Sequence, residues 1–124
     1  MANIYLKLLN DAKQLPAAYR AMGTRAGTFT DSRNGRSITG WNICQFVYKH
    51  NTDGDEWWTN EYCLLVDEAG NLWEYYKGDQ YEPHATPERS SSVNLNMVDG
   101  EQLRMWHTNG WDFAKMKRSI EAMV

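Results

Sequence analysis

Residues 61–77, Glu-Tyr-Cys-Leu-Leu-Val-Asp-Glu-Ala-Gly-Asn-Leu-Trp-Glu-Tyr-Tyr-Lys, constrain this chain more than any other stretch. Two apolar and aromatic runs flank Glu68-Ala69-Gly70, whose glycine can supply the left-handed position of a tight hairpin loop. With Asp67 facing Asn71, the register pairs Val66 with Leu72, Leu64 with Glu74 and Tyr62 with Tyr76 on one face. The other face pairs Leu65 with Trp73, Cys63 with Tyr75 and Glu61 with Lys77. A sheet wetted on one side alternates apolar with polar residues. Here both faces are largely apolar, which predicts a hairpin in mid-sheet with material packed on each side.

The flanking segments suggest an α+β fold. Ile4, Leu8, Leu9, Ala12 and Leu15, then Ala18, Tyr19 and Met22, recur at helical spacing, with Pro16 dividing them into two short helices and Gly23 closing the second. A strand for Ile4 to Leu9 is the alternative. Thr28-Phe29-Thr30 and Ser37-Ile38-Thr39 read as arms of an exposed hairpin around Asn34-Gly35. Ile38 to Tyr48 is dense in strand formers, with Gly40 as a bulge, and residues 50–55 form a turn leading into a strand at Glu56. Residues 78–92, with two prolines and a serine triplet, read as a long loop of the kind that serves as a lid or binding segment. Val93-Asn-Leu-Asn-Met97 alternates as a half-exposed strand does. Asp99 with Gln102 forms a capping box for a helix reaching Thr108, where Asn109-Gly110 stops it. Asp112 caps a last helix with Phe113, Met116, Ile120 and Met123 on one face. The expected architecture is an antiparallel meander of four to five strands, with short N-terminal helices and two C-terminal helices packed on one face.

At 124 residues the chain suits one domain, which can bury roughly two-thirds of its unfolded surface. Its net charge of −3 offers no global basic field, so duplex DNA is not the expected partner. Met1-Ala-Asn-Ile lacks the basic start of a signal peptide, and no run approaches the ~18 apolar residues of a membrane helix. The chain is therefore expected to be soluble and cytoplasmic. Cys44 and Cys63 both lie in strand-like runs and are expected to be reduced and buried. In size and acidity the chain has the general character of small accessory proteins of phages and mobile elements, which assigns no residue a role.

Catalytic signatures are sparse. Asn51-Thr-Asp53-Gly-Asp55 opens like a calcium loop, but Glu56 and Tyr62 stand where glycine and a bidentate glutamate are required. His50, His84 and His107 share no metal-ligand spacing, and no nucleophile elbow or phosphate loop is present. No metal or cofactor is expected. A small hydrolase or transferase would have to use His84 or His107 with Glu74, whose place opposite Leu64 would raise its pKa, although an Arg or Tyr partner for Glu74 is the expected arrangement.

Six Trp, seven Tyr and three Phe exceed what a core of this size needs. Trp73 and Trp106 are expected inside, and Trp57, Trp58 and Tyr81 at a binding surface. Arg25, Arg33 and Arg36 form the local basic patch, and Arg89 follows His84 in the 78–92 segment. These residues together suggest a non-catalytic binding or inhibitory module, oligomeric through the second apolar face of its sheet. Its ligand would be a protein partner or a small nucleotide-like anion. A single-stranded nucleic-acid-binding domain, with bases stacked on exposed tryptophans, is a third reading.

Overall fold

The structure, a computed structural model, describes residues 3–82 and 86–124, with the backbone alone at 82 and 86–90. Helices α1 (Ile4–Ala12) and α2 (Leu15–Ala21) precede five strands, β1 (Gly27–Thr30), β2 (Ser37–Asp53), β3 (Glu56–Asp67), β4 (Leu72–Glu82) and β5 (Thr86–Met97). Helices α3 (Gly100–Thr108) and α4 (Phe113–Glu121) follow. The strands form one antiparallel sheet in sequence order, β1-β2-β3-β4-β5. This is the α+β meander that the sequence implies.

The central hairpin has the register its side chains predict, from Val66 opposite Leu72 through Leu65–Trp73, Leu64–Glu74, Cys63–Tyr75 and Tyr62–Tyr76 to Glu61–Lys77. Its loop is organised by Asp67. One carboxylate oxygen accepts from the Ala69 and Asn71 amides at 2.9 Å, and the other accepts from the Trp73 indole N–H at 2.9 Å. Gly70 carries the loop's positive φ of 86°.

One face of the sheet carries the helices. Leu64, Val66, Leu72, Trp41 and Phe46 meet Leu8, Leu15, Leu103, Trp106, Phe113, Met116 and Ile120 in the larger core. The helices start where their caps predict: Asn3 accepts from Tyr5 and Leu6, Asp99 from Gln102 and Asp112 from Lys115. Pro16 sits in the first turn of α2, where its missing N–H costs nothing. Ile4 and Met22, placed on the apolar face by periodicity, are exposed at the ends of this pair.

The opposite face is concave. Ile38, Cys63, Leu65, Trp73 and Leu95, with Phe29 and Tyr75, form a second cluster there. It is covered from within the chain. The segment between β1 and β2 crosses to β5, where Ser32 N–H donates to the Val93 carbonyl at 2.8 Å and Val93 N–H to the Ser32 hydroxyl at 2.9 Å. Asp31, 1% exposed, accepts from the Leu95 amide at 3.0 Å and from the Arg33 guanidinium at 2.6 Å. The first hairpin is largely exposed, as its sequence implies, and through Asp31 and Ser32 it also acts as a latch that nearly closes the sheet. Because it covers the second apolar face, that face gives no reason to require a second copy.

Three other expectations are corrected. Residues 78–92 are not a long loop: β4 runs to Glu82 and β5 begins at Thr86, with Gly78 opposite Ser92 and Gln80 opposite Ser90. Cross-strand pairing overrides the weak strand propensity of Gly and Ser. The 50–55 turn shrinks to Gly54-Asp55, because His50 to Asp53 remain paired with β3. Gly40 is not a bulge; the bulges fall between Asn42 and Cys44 and between Gln45 and Val47. They let Ile43, Cys44, Phe46 and Val47 all pack with the helical core, which strict alternation forbids. Gly40 instead allows close strand approach, since a Cβ there would lie 2.0 Å from the Val66 carbonyl oxygen.

Candidate functional site

Strands β2 to β5 outrun the helical layer. Among the described residues, none between 48 and 60 or between 78 and 92 belongs to either core cluster. Among the described residues, this distal half of the sheet carries no core cluster on either face, and it gathers Tyr48, Trp57, Trp58 and Tyr81.

On the concave side, alternation brings Tyr48, His50, Thr52, Trp57, Thr59, Glu61 and Asp79 around an open groove of about 570 Å3. Trp57 and Tyr81 are cross-strand partners whose rings stack with centroids 6.3 Å apart. Asp79 is buried, and the Lys77 ammonium lies 3.8 Å from its carboxylate. Lys77 is also directly opposite Glu61. Among the described residues, the groove is therefore lined by the Trp57 ring, with Tyr81 stacked beside it, by His50 and by the Glu61 and Asp79 carboxylates, with Lys77 next to Asp79.

On the helix side, Trp58, Asn60, Tyr76, Gly78, Gln80 and Ser92 line a notch of about 230 Å3. The Tyr76 hydroxyl donates to Asn60 Oδ1 at 2.7 Å, and its ring packs on Tyr62 at 4.9 Å. Tyr62 in turn meets Trp111 at 5.1 Å, and Trp111 meets Phe46 at 6.1 Å. A chain of rings thus anchors the notch to the core.

The residues singled out in the sequence do not converge on one site. Arg33 is engaged by Asp31, and the Arg36 guanidinium lies 4.8 Å from the Trp73 ring centroid. Trp73 and Tyr81 are eight residues apart on β4, ~26 Å of extended strand. The arginine segment and the Trp57–Tyr81 pair therefore occupy separate regions, and Trp58 faces away from Trp57. Arg25 is exposed in the link before β1. His84 and the side chain of Arg89 lie outside the described residues.

The candidate acid–base groups are dispersed as well. His107, on α3, stacks on Phe113 at 4.5 Å and shares a 3.1 Å hydrogen bond between its Nδ1 and the Tyr5 hydroxyl. Glu74 is half-buried on β4, where burial pushes its pKa up and a 3.1 Å hydrogen bond from Asn96 opposes the rise. Its partner is an amide, where Arg or Tyr was expected. Burial pushes the Cys63 thiol up to about 12, and raises Cys44 as well, so both stay protonated at neutral pH and are poor nucleophiles. The two cysteines point to opposite faces of the sheet, and both are free thiols.

Among the described residues, no group of three or more His, Cys, Asp or Glu side chains could hold a metal ion, and no helix is long and apolar enough to cross a membrane. Sequence reasoning missed Asn60, Tyr76, Gly78 and the Glu61–Lys77–Asp79 row as parts of surface sites. Their signal was register: residues two apart on paired strands share a face, visible only once β4 and β5 are extended through 78–92. No protein-family model matches the chain, and neither a curated protein nor a solved structure matches it significantly.

Proposed function

We propose that this protein is a non-catalytic binding module that engages a protein partner through the distal half of its sheet. The observation that carries this reading is the Trp57–Tyr81 ring pair, whose Trp57 lines an open groove away from the two core clusters. Tyr and Trp combine large apolar area with polar tips and few rotatable bonds, properties that favour recognition surfaces. Among the described lining residues, Glu61 offers a carboxylate to a partner presenting Lys or Arg. The engagement of Arg33 by Asp31 weighs against a nucleotide-like ligand there.

Native mass spectrometry of the protein purified from its own host tests this reading. The expected result is a stoichiometric protein complex that Trp57→Ala dissolves and Arg25→Ala or Arg36→Ala leaves intact. A bound species of nucleotide mass, or a complex lost with the arginines and kept with Trp57→Ala, would overturn it.

A further inference from the structure

The notch on the opposite face of the distal sheet has its own chemistry, and the inference drawn from it does not depend on the partner proposed above. Three strands build it as a grid. Trp58 and Asn60 come from β3, Gln80, Gly78 and Tyr76 from β4, and Ser92 from β5. Asn60, Gly78 and Ser92 lie in one cross-strand row, so the hollow exists because the middle position carries no side chain. A Cβ on Gly78 would lie 2.9 Å from the Tyr76 hydroxyl and 3.5 Å from the Ser92 hydroxyl. The floor is therefore closely built.

Among the described residues, every side chain that faces the notch by alternation is uncharged. Thr59, Asp79 and Ser91, which also border it, belong to the other face by register. Lys49, opposite Asn60 on β2, is not among the lining residues. The notch thus offers one indole, 39% exposed for Trp58 as a whole, with two carboxamides and two hydroxyls. The Tyr76–Asn60 hydrogen bond fixes the Asn60 amide and leaves its Nδ2 hydrogens for a ligand.

Among the described residues, each alternative ligand lacks what it would need there. A nucleic-acid strand needs cations along its phosphates as well as a ring to stack on. An ammonium or guanidinium needs a carboxylate, and a purely apolar group would leave amides and hydroxyls unpaired. A flat ring edged with neutral hydroxyls fits both the indole and the polar floor. At about 230 Å3 the notch is smaller than the ~300–1,000 Å3 typical of pockets for drug-sized molecules, so it takes one ring at a time. We propose that this notch binds a single neutral sugar ring of a glycan, stacked on Trp58 and hydrogen-bonded by Asn60, Gln80 and Ser92.

The test is an NMR titration of the full chain, following the tryptophan indole N–H resonances. The probes are cellotetraose, maltotetraose and chitotetraose as neutral oligosaccharides, with a heparin tetrasaccharide and oligothymidylate as charged comparators. At least one neutral probe is expected to shift the Trp58 resonance saturably, with no loss of affinity on adding salt. Trp58→Ala, read through the backbone amides of Asn60 and Gly78, and Gly78→Ala, which fills the hollow, should each weaken binding at least roughly tenfold. The Trp73 and Trp106 resonances report whether each variant keeps its core. No shift with any neutral probe, a shift with charged probes alone, or binding that survives Trp58→Ala would overturn the assignment. None of these outcomes depends on Trp57, so the proposal can fail without the partner reading failing.

Discussion

The two halves of β3 form one continuous strand under opposite conditions. Cys63 to Val66 are buried in succession, their side chains alternating between the helical core and the latched concave core. Glu56 to Asn60, on the same strand, lie where neither layer reaches and are half-buried or exposed. Pairing with β2 runs the length of the strand, interrupted at the two β2 bulges, from Asp67 opposite Gly40 to Glu56 opposite Asp53. Pairing defines the strand and coverage defines its stability, which frees the distal half to carry polar and aromatic surface.

The sharpest way to break this contrast is to delete volume in the covered half. Leu64→Ala, at a fully buried position, should cost ~2–5 kcal/mol in denaturant unfolding. A loss below that range would show that the cores are looser than their contacts imply. Gly40 and Gly78 offer the same comparison with the same substitution. Gly40→Ala drives a Cβ into the backbone of β3 and should cost ~1–3 kcal/mol or more. Gly78→Ala meets the end of the Tyr76 side chain at 2.9 Å, with no backbone atom among its nearest contacts, and should cost less, ~1 kcal/mol. Equal costs would remove the distinction between the halves.

Two carboxylates sharpen it through pH. The Arg33 guanidinium first, then the Leu95 amide, hold Asp31 well below the usual carboxylate range. Its contribution is present above an unfolded value of ~3.9 and lost as pH falls through the folded value. Asp31→Asn should lower stability at neutral pH and flatten the acid limb of a pH–stability curve. Glu74 has the opposite sign, because burial raises its pKa. Its contribution is present below an unfolded value of ~4.3 and lost as pH rises through the folded value, so Glu74→Gln should remove that loss and leave the neutral-pH protein no less stable. The smallest effect belongs to the distal half: Trp58→Ala should change unfolding free energy by no more than about 0.5 kcal/mol.

The covered half was legible in the sequence. The Tyr62–Tyr76 hairpin announced its register through paired apolar residues, and Asp99 and Asp112 announced the C-terminal helices through their caps. The distal half was legible on β3, whose start at Glu56 was expected, but not on β4 and β5, because Gly78 and the Ser90–Ser92 run are strand only by virtue of their neighbours. The β2 bulges left a signal that alternation alone does not decode: Ile43-Cys44 and Phe46-Val47 are adjacent apolar pairs packing against one core. The composite binding site failed for a related reason, since proximity in sequence says nothing about the latch that takes Arg33 to Asp31 and Arg36 to Trp73.

The latch also bears on the order in which the molecule assembles. Asp31 meets Leu95 across 64 residues of chain, whereas the central hairpin closes through a short local loop. Closing the longer loop costs more chain entropy, and its contacts stabilise only once β5 is in place. The latch is therefore expected to form late and open early. In native-state hydrogen exchange, the amides of Ser32, Val93 and Leu95 should lose protection before those of Leu64 and Val66, in a partial opening that bares the concave core while the helical core stays folded.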